Sequence, residues 1–198
     1  NFNFNSLYQE VRNEAETQKH KNLISVILTT HKWNKFLPIA LNSILNQTHI
    51  NFELIVVDDA SPKSDVELYD EIMTDPRIRR IRMETNSGTY ACRNIGLDHI
   101  KGEYVTFADS DDWMHPEKLE YSLSTIKKHK LSLLINRFVR ISEQGKVWFN
   151  GNKLSQFSLV GMVVSTAKMR EFNLKFDARA RFGADSEFLE RAEIVFGK

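Results

Sequence analysis

Asp109, Asp111 and Asp112 fall within four consecutive positions of the stretch VTFADSDDWMHPEKL, directly after an apolar run. Like charges packed this closely repel one another unless a cation sits among them. Oxygen-only ligands suit a hard divalent ion, Mg²⁺ or Mn²⁺, which takes few protein ligands and completes its shell with substrate phosphates. Two further polar ends follow apolar runs: Thr29-Thr30-His31 after LISVIL and Asp58-Asp59 after FELIVV. Together these residue types fit the binding of a diphosphate through a metal ion, which makes the diphosphate a better leaving group.

Such ends meet only if the runs before them are parallel strands of one sheet. LISVILTT reads as a buried strand, and Leu37, Leu41, Ile44 and Leu45 then recur on one face of a helix. FELIVVDDAS is a second strand, stopped by Ser61-Pro62. A helical stretch around Val66 to Met73 leads to RIRRIRME, a third strand. A helix from Thr89 to about Ile100, the strand EYVTFA and a helix opening near Pro116, with Leu119, Leu123 and Ile126 on one face, follow. Strands alternating with helices predict an α/β fold: a mostly parallel, Rossmann-like sheet flanked by helices, with ligands beyond the carboxyl ends of the strands.

Beyond about Leu131 the order is mixed. LSLLINRFVRIS and KVWFN read as a strand pair around a turn at Glu143 to Gly145, and SLVGMVVS as another strand. DSEFLERAEIVFG reads as a closing helix that buries Phe188, Ala192, Val195 and Phe196 and stops at Gly197.

Composition narrows the function classes. With 198 residues, 41% hydrophobic and 27% charged, the chain fits one soluble globular domain, or one with a small annex. A net charge of +1 without a long Lys/Arg run gives no basis for a nucleic-acid partner. Cys92 is the only cysteine, which excludes an intrachain disulfide and a cysteine zinc cluster and is compatible with a reducing compartment. The apolar runs are strand-sized, too short for a membrane span, and no signal-peptide pattern opens the chain. A start without Met and a stop just past a helical pattern suggest a segment of something longer, with partner domains missing.

SVILTTHKW, LNSILNQTHINFELIVVDDAS, NSGTYACRNIGLDHIKGEYVTFADSDD and RFGADSEFLER, in that order from about Leu23 to Arg191, resemble the family 2 inverting glycosyltransferases with the GT-A fold. The resemblance implies a GT-A domain with a nucleotide-sugar-binding part at 23–112 and a smaller, mixed acceptor-side part at 113–198, truncated at its C-terminus. Residues 1–22 would be a linker or peripheral helix. It also implies metal-dependent, inverting transfer of a hexosyl or N-acetylhexosaminyl group from a nucleotide-diphosphate sugar, a UDP-sugar, to a glycan or lipid-linked glycan acceptor in polysaccharide biosynthesis. The implied cofactor is Mn²⁺ or Mg²⁺, and the implied location is cytoplasmic, peripheral at the inner face of the membrane.

Carried onto this chain, the resemblance assigns roles. His31, beside Thr30, stands where an aromatic residue stacks on the base; the competing reading is a solvated turn histidine. Asp59 matches the acid that accepts a hydrogen bond from uracil, with Asp58 as the strand-end acid beside it; the pair could instead cap the turn before Ser61-Pro62. Gly88 matches a loop glycine close to the nucleotide. Arg93 and Asn94 match the residues lining the nucleoside pocket, although Arg93 also reads as a surface helix residue. Asp109 and Asp111, with Ser110 between them, match the D-x-D, Asp109 near ribose and the metal-bound diphosphate and Asp111 on the metal itself. Asp112 either supports the site or caps the helix near Pro116. Asp185 matches the general base, in a pair whose first acid is replaced by Ala184. Its competing reading is a helix N-cap, and Glu187 is the alternative base.

Other classes fit less well. A receiver module would need a lysine at a strand end, a haloacid-dehalogenase-like phosphatase would not place Trp113 after its acids, and a nucleotidyltransferase would need glycines that TTHKWNKF lacks. The non-enzyme alternative is a catalytically degenerate nucleotide-sugar-binding module that supports a partner transferase.

Overall fold

The computed structural model describes residues 22–32, 34–63, 65, 70, 72–142, 146–148, 155–180 and 183–196. The four apolar runs of the first half form β1 (Ile24–Thr30), β2 (Phe52–Asp58), β3 (Ile78–Arg82) and β4 (Tyr104–Asp109), all parallel. They lie in the order β3-β2-β1-β4, continued by β8 (Gln156–Ser165), antiparallel to β4, and by β5 (Leu133–Phe138) at the edge. All seven residues of β1 are buried, as expected of a central strand covered on both faces.

Alternation along the strands sorts the core into two layers. Val26, Leu28, Leu54 and Val56 pack against α1 (Leu37–Leu45) and α3 (Lys118–His129). Ile27, Ile55, Val105 and Phe107 pack on the other side, against α2 (Thr89–Leu97), α4 (Thr166–Glu171) and α5 (Ala184–Phe196). Because side chains repeat every second residue along a strand, Asp109 follows Val105 and Phe107 toward α2 and α5. Gly96 lets α2 press against β1: a Cβ there would lie 2.6 Å from Ile27 Cγ2.

The second half departs from expectation in its pairing. LSLLINRFVRIS divides at Val139: β5 joins the main sheet beside β8, while β6 (Arg140–Ile141) pairs with β7 (Val147–Trp148) in a separate two-stranded ribbon. The expected turn at Glu143–Gly145, residues 1–21, 66–69 and 71 of the expected second helix, and Gly197 lie outside the described residues. Among the described residues, no helix is long and apolar enough to cross a membrane.

Candidate active site

Strand register brings the three polar ends to one edge: Thr30 is level with Asp58, and Thr29 with Asp109. An open cavity of about 780 Å³ lies there, lined by Thr30, His31, Asp59, Gly88, Arg93, Asp109, Ser110, Asp111 and Asp185 among others. Asp58 and Asn94 do not line it.

The acidic pair Asp58-Asp59 divides its labour. Asp58 is fully buried; Oδ1 accepts the Ser61 N–H at 2.9 Å, and Oδ2 receives Arg82 at 3.2 Å and Arg80 at 3.6 Å. It is the turn cap, with both oxygens committed to the scaffold. Asp59 reaches the other way and accepts the backbone N–H groups of Ser87 (2.7 Å) and Gly88 (2.9 Å), which fixes the loop ahead of α2. Gly88 has φ +85°, a left-handed value that glycine adopts without strain. Beneath this loop the Cys92 thiol is pushed up to about 12 by burial, the Asp59 charge, a hydrogen bond to Asp59 and the Asp58 charge. His31 is exposed, and its Nδ1–H donates to the Asp59 carbonyl at 2.7 Å, which leaves Nε2 and the ring face available. The Thr30 carbonyl accepts the Asp59 N–H at 2.8 Å, while Thr30 Oγ1 is buried without a hydrogen-bond partner among the described residues.

Among the described residues Arg93 is the largest fully buried polar side chain, only 2% exposed, and not a surface residue. Nη2 donates to Asp109 Oδ1 at 2.7 Å and Nη1 to Asp185 Oδ1, while the buried Nε has no hydrogen-bond partner among the described residues. The Tyr90 and Phe176 rings cover the guanidinium at 5.9 and 5.6 Å, within cation–π range. An unpaired buried cation would be costly, and charge-assisted bonds to two carboxylates offset that cost. Asp185 lies inside the first turn of α5, which begins at Ala184, and its Oδ1 is held by Arg93, so it is not the N-cap. Burial raises its pKa above the usual carboxylate value, with the Asp109 charge reinforcing the rise and Arg93 opposing it. Glu187 is taken up by Arg191 one turn along the helix. Asn94 turns from the cavity to the backbone of Phe176, donating to its carbonyl and accepting its N–H, each at 2.9 Å.

The loop after β4 is tied down at Ser110, whose Oγ accepts from Asn34 Nδ2 at 3.2 Å; Asn34 Oδ1 in turn accepts the N–H groups of Phe36 and Leu37 as α1 opens. Asp112 does not cap α3, which follows Glu117; its N–H bonds the Asp109 carbonyl at 3.2 Å. The protein around its carboxyl and the charges of Asp109 and Asp111 push Asp112 up to about 6. Asp111 is exposed on the cavity wall and makes no ion pair with a described residue. Among the described residues no three His, Cys, Asp or Glu side chains converge on one point. An oxygen-only edge with Asp111 open and Asp109 half engaged fits a hard cation that draws most of its ligands from a bound diphosphate and water.

Sequence reasoning did not reach Tyr90, Asn34 or the Ala178–Ala180 rim of the cavity, where Arg179 is held by Asp177 through Nε (2.9 Å) and Nη2 (2.8 Å). Asn34 and Tyr90 reach the site through contacts with residues distant in the chain, Ser110 and Phe176, which no local pattern marks.

The model of the family described as glycosyl transferase family 2 matches residues 25–190. An uncharacterized glycosyltransferase of Haemophilus influenzae is 38% identical over 110 residues, which cover 55% of this chain and 44% of the relative. WcaA of Escherichia coli K12, named for glycosyl transfer in colanic acid biosynthesis, is 28% identical over 197 residues, covering 91% of this chain and 69% of WcaA. Among solved structures, S. aureus TarS 1-349 in complex with UDP superposes with a TM-score of 0.74 at 24% identity, over 87% of this chain and 55% of that one. The chain thus spans about half the length of the Haemophilus relative and of the TarS structure.

Proposed function

The chain belongs to glycosyl transferase family 2, and on that footing we propose that it transfers a sugar from a UDP-sugar to a hydroxyl of a glycan or lipid-linked glycan in polysaccharide synthesis, inverting the anomeric centre. The observation that carries this reading is the convergence of Asp109, Asp111 and Asp185 on one cavity at the strand ends. The nucleotide would lie across the ends of β1 and β2, its base against His31 and the loop that Asp59 holds. Mn²⁺ or Mg²⁺, held by Asp111 with support from Asp109, would neutralise charge on the diphosphate.

Asp185 then acts on the acceptor side. Oδ2 has no hydrogen-bond partner among the described residues, while Oδ1 is held by Arg93, so Oδ2 is free to take the proton of the acceptor hydroxyl. As that proton leaves, the acceptor oxygen bonds to C1, the bond from C1 to the diphosphate oxygen breaks on the opposite face, and UDP departs with the electron pair. Burial raises the pKa of this carboxyl, and a carboxylate with a raised pKa is a stronger base than an exposed one. Residues 23–112 would serve the donor and 113–198 the acceptor, and a peripheral contact with the membrane would suit a lipid-linked acceptor.

The test is a panel of nucleotide-sugars assayed for metal-dependent hydrolysis and transfer, with UDP-sugars expected to turn over. UDP binding without turnover of any donor, by this chain and by a longer form carrying its flanking sequence, would favour a degenerate binding module.

A further inference from the structure

Arg93 and Asn94 are consecutive on α2; Arg93 lines the cavity, but its side chain is only 2% exposed and both terminal nitrogens are engaged by carboxylates, and Asn94 does not line it. Arg93 spans two elements, β4 through Asp109 and α5 through Asp185. Asn94 grips the backbone of Phe176 from both sides at 2.9 Å. Phe176 in turn stacks on Phe188, with centroids 4.1 Å apart and planes 13° from parallel, and Phe188 lies on α5 three residues after Asp185. Phe107 of β4 meets both rings edge-on at 5.4 and 6.4 Å. Two neighbouring residues of α2 therefore reach the base-bearing helix by separate routes, one ionic and one through a buried aromatic stack. The close approach of Gly96 to Ile27 fixes α2 against the sheet.

We infer that Arg93 and Asn94 are positioning residues for Asp185, setting the place of α5 and the direction of the Asp185 carboxylate, and that neither reads the nucleoside. The inference rests on the proposal that Asp185 is the base. A guanidinium is a planar fork whose nitrogens hold two carboxylates at a fixed separation; a lysine ammonium is a point charge on a flexible stem and cannot set that separation. Misplacing a reacting group by about 1 Å can cost about a hundredfold in rate. Among the described residues Asp185 is held by Oδ1 only, and the residue lines the cavity.

Arg93→Lys, Arg93→Ala and Asn94→Ala are compared with wild type by UDP calorimetry, steady-state kinetics and hydrogen exchange. For Arg93→Lys we expect UDP affinity within about twofold of wild type, kcat lower by about a hundredfold, and faster exchange at the first-turn amides of α5 with β1 and β2 unchanged. Added guanidinium ion should restore part of the rate of Arg93→Ala. Asn94→Ala should loosen α5 without weakening UDP. A tenfold or greater loss of UDP affinity with kcat intact would overturn the inference in favour of a nucleoside contact, as would unchanged kcat and exchange in all three variants. If Asp185→Asn itself keeps the wild-type rate, the base assignment fails; hydrogen exchange still decides whether Arg93 and Asn94 hold α5.

Discussion

The guanidinium of Arg93 donates through Nη1 to the carboxylate of Asp185 across 92 positions of sequence, and through Nη2 it holds Asp109. One buried cation therefore joins the acid at the end of β4 to the acid at the start of α5. The proposed donor and acceptor sides of the cavity would meet at this link.

The acids after β4 should differ in their response to metal. Asp109 already has one oxygen on Arg93, whereas Asp111 is open to the cavity. UDP titrated with and without Mn²⁺ should bind much more tightly with it, since the acidic edge repels a bare diphosphate. Asp111→Ala should abolish that metal gain, and Asp109→Ala should reduce it less. Equal UDP affinity in Mn²⁺ and in EDTA would remove the metal from the account.

Asp59 works through the loop it holds. Asp59→Asn removes the charge from bonds to two backbone N–H groups, and hydrogen bonds to charged groups contribute about 1.5–3 kcal/mol. Thermal unfolding should shift downward, and UDP should weaken more than pyrophosphate, because the loop borders the region assigned to the base. Equal losses for the two ligands would mean that Asp59 shapes the cavity without bearing on the base.

Phe188 tests the aromatic stack under α5. It is fully buried against Phe107 and Phe176, and truncating a buried phenylalanine costs about 3–5 kcal/mol. Phe188→Leu, which keeps most of the volume, should fold with a smaller loss and still impair turnover through α5. Chemical denaturation read beside kcat separates the two effects.

Cys92 gives a dependence on pH. Its thiol is raised in the folded chain to about 12, chiefly by burial and then by Asp59, whereas an unfolded thiol ionises near ~8.5. The folded state thus favours the protonated form: the contribution is fully present below the unfolded value and is lost as pH rises toward the folded one. Between pH 7.5 and 10 the wild type should lose about 2 kcal/mol that Cys92→Ala does not lose. Parallel declines in urea unfolding would contradict the shift, as would fast alkylation of native Cys92 at neutral pH.

The sequence discloses what depends on neighbours along the chain. Unbroken apolar runs marked β1, β2 and β4, and the residues just after them marked the cavity edge, because parallel strands place their carboxyl ends together. It does not disclose which way each polar side chain turns once those ends meet. Asp58 and Asp59 are equivalent as letters, yet strand parity sends one to Arg82 and the other to the Gly88 loop. The division of β5 from β6 at Val139 was hidden for the same reason: it depends on β8, which takes β5 as its partner. Arg93 and Asn94 stood out as letters, but their partners Asp185 and Phe176 come from distant segments.

Asp185→Asn, assayed for sugar transfer beside wild type with donor affinity and melting temperature measured on the same samples, isolates the proton acceptor. The amide keeps the size of the carboxylate and can still accept from Arg93, but it cannot take a proton from the acceptor. Donor affinity should stay close to wild type, stability should fall by no more than the charge adds to one bond with Arg93, about 1.5–3 kcal/mol, and transfer should fall by about 10²- to 10⁴-fold. Transfer at close to the wild-type rate would show that Asp185 only anchors α5 to Arg93 and that the base lies elsewhere.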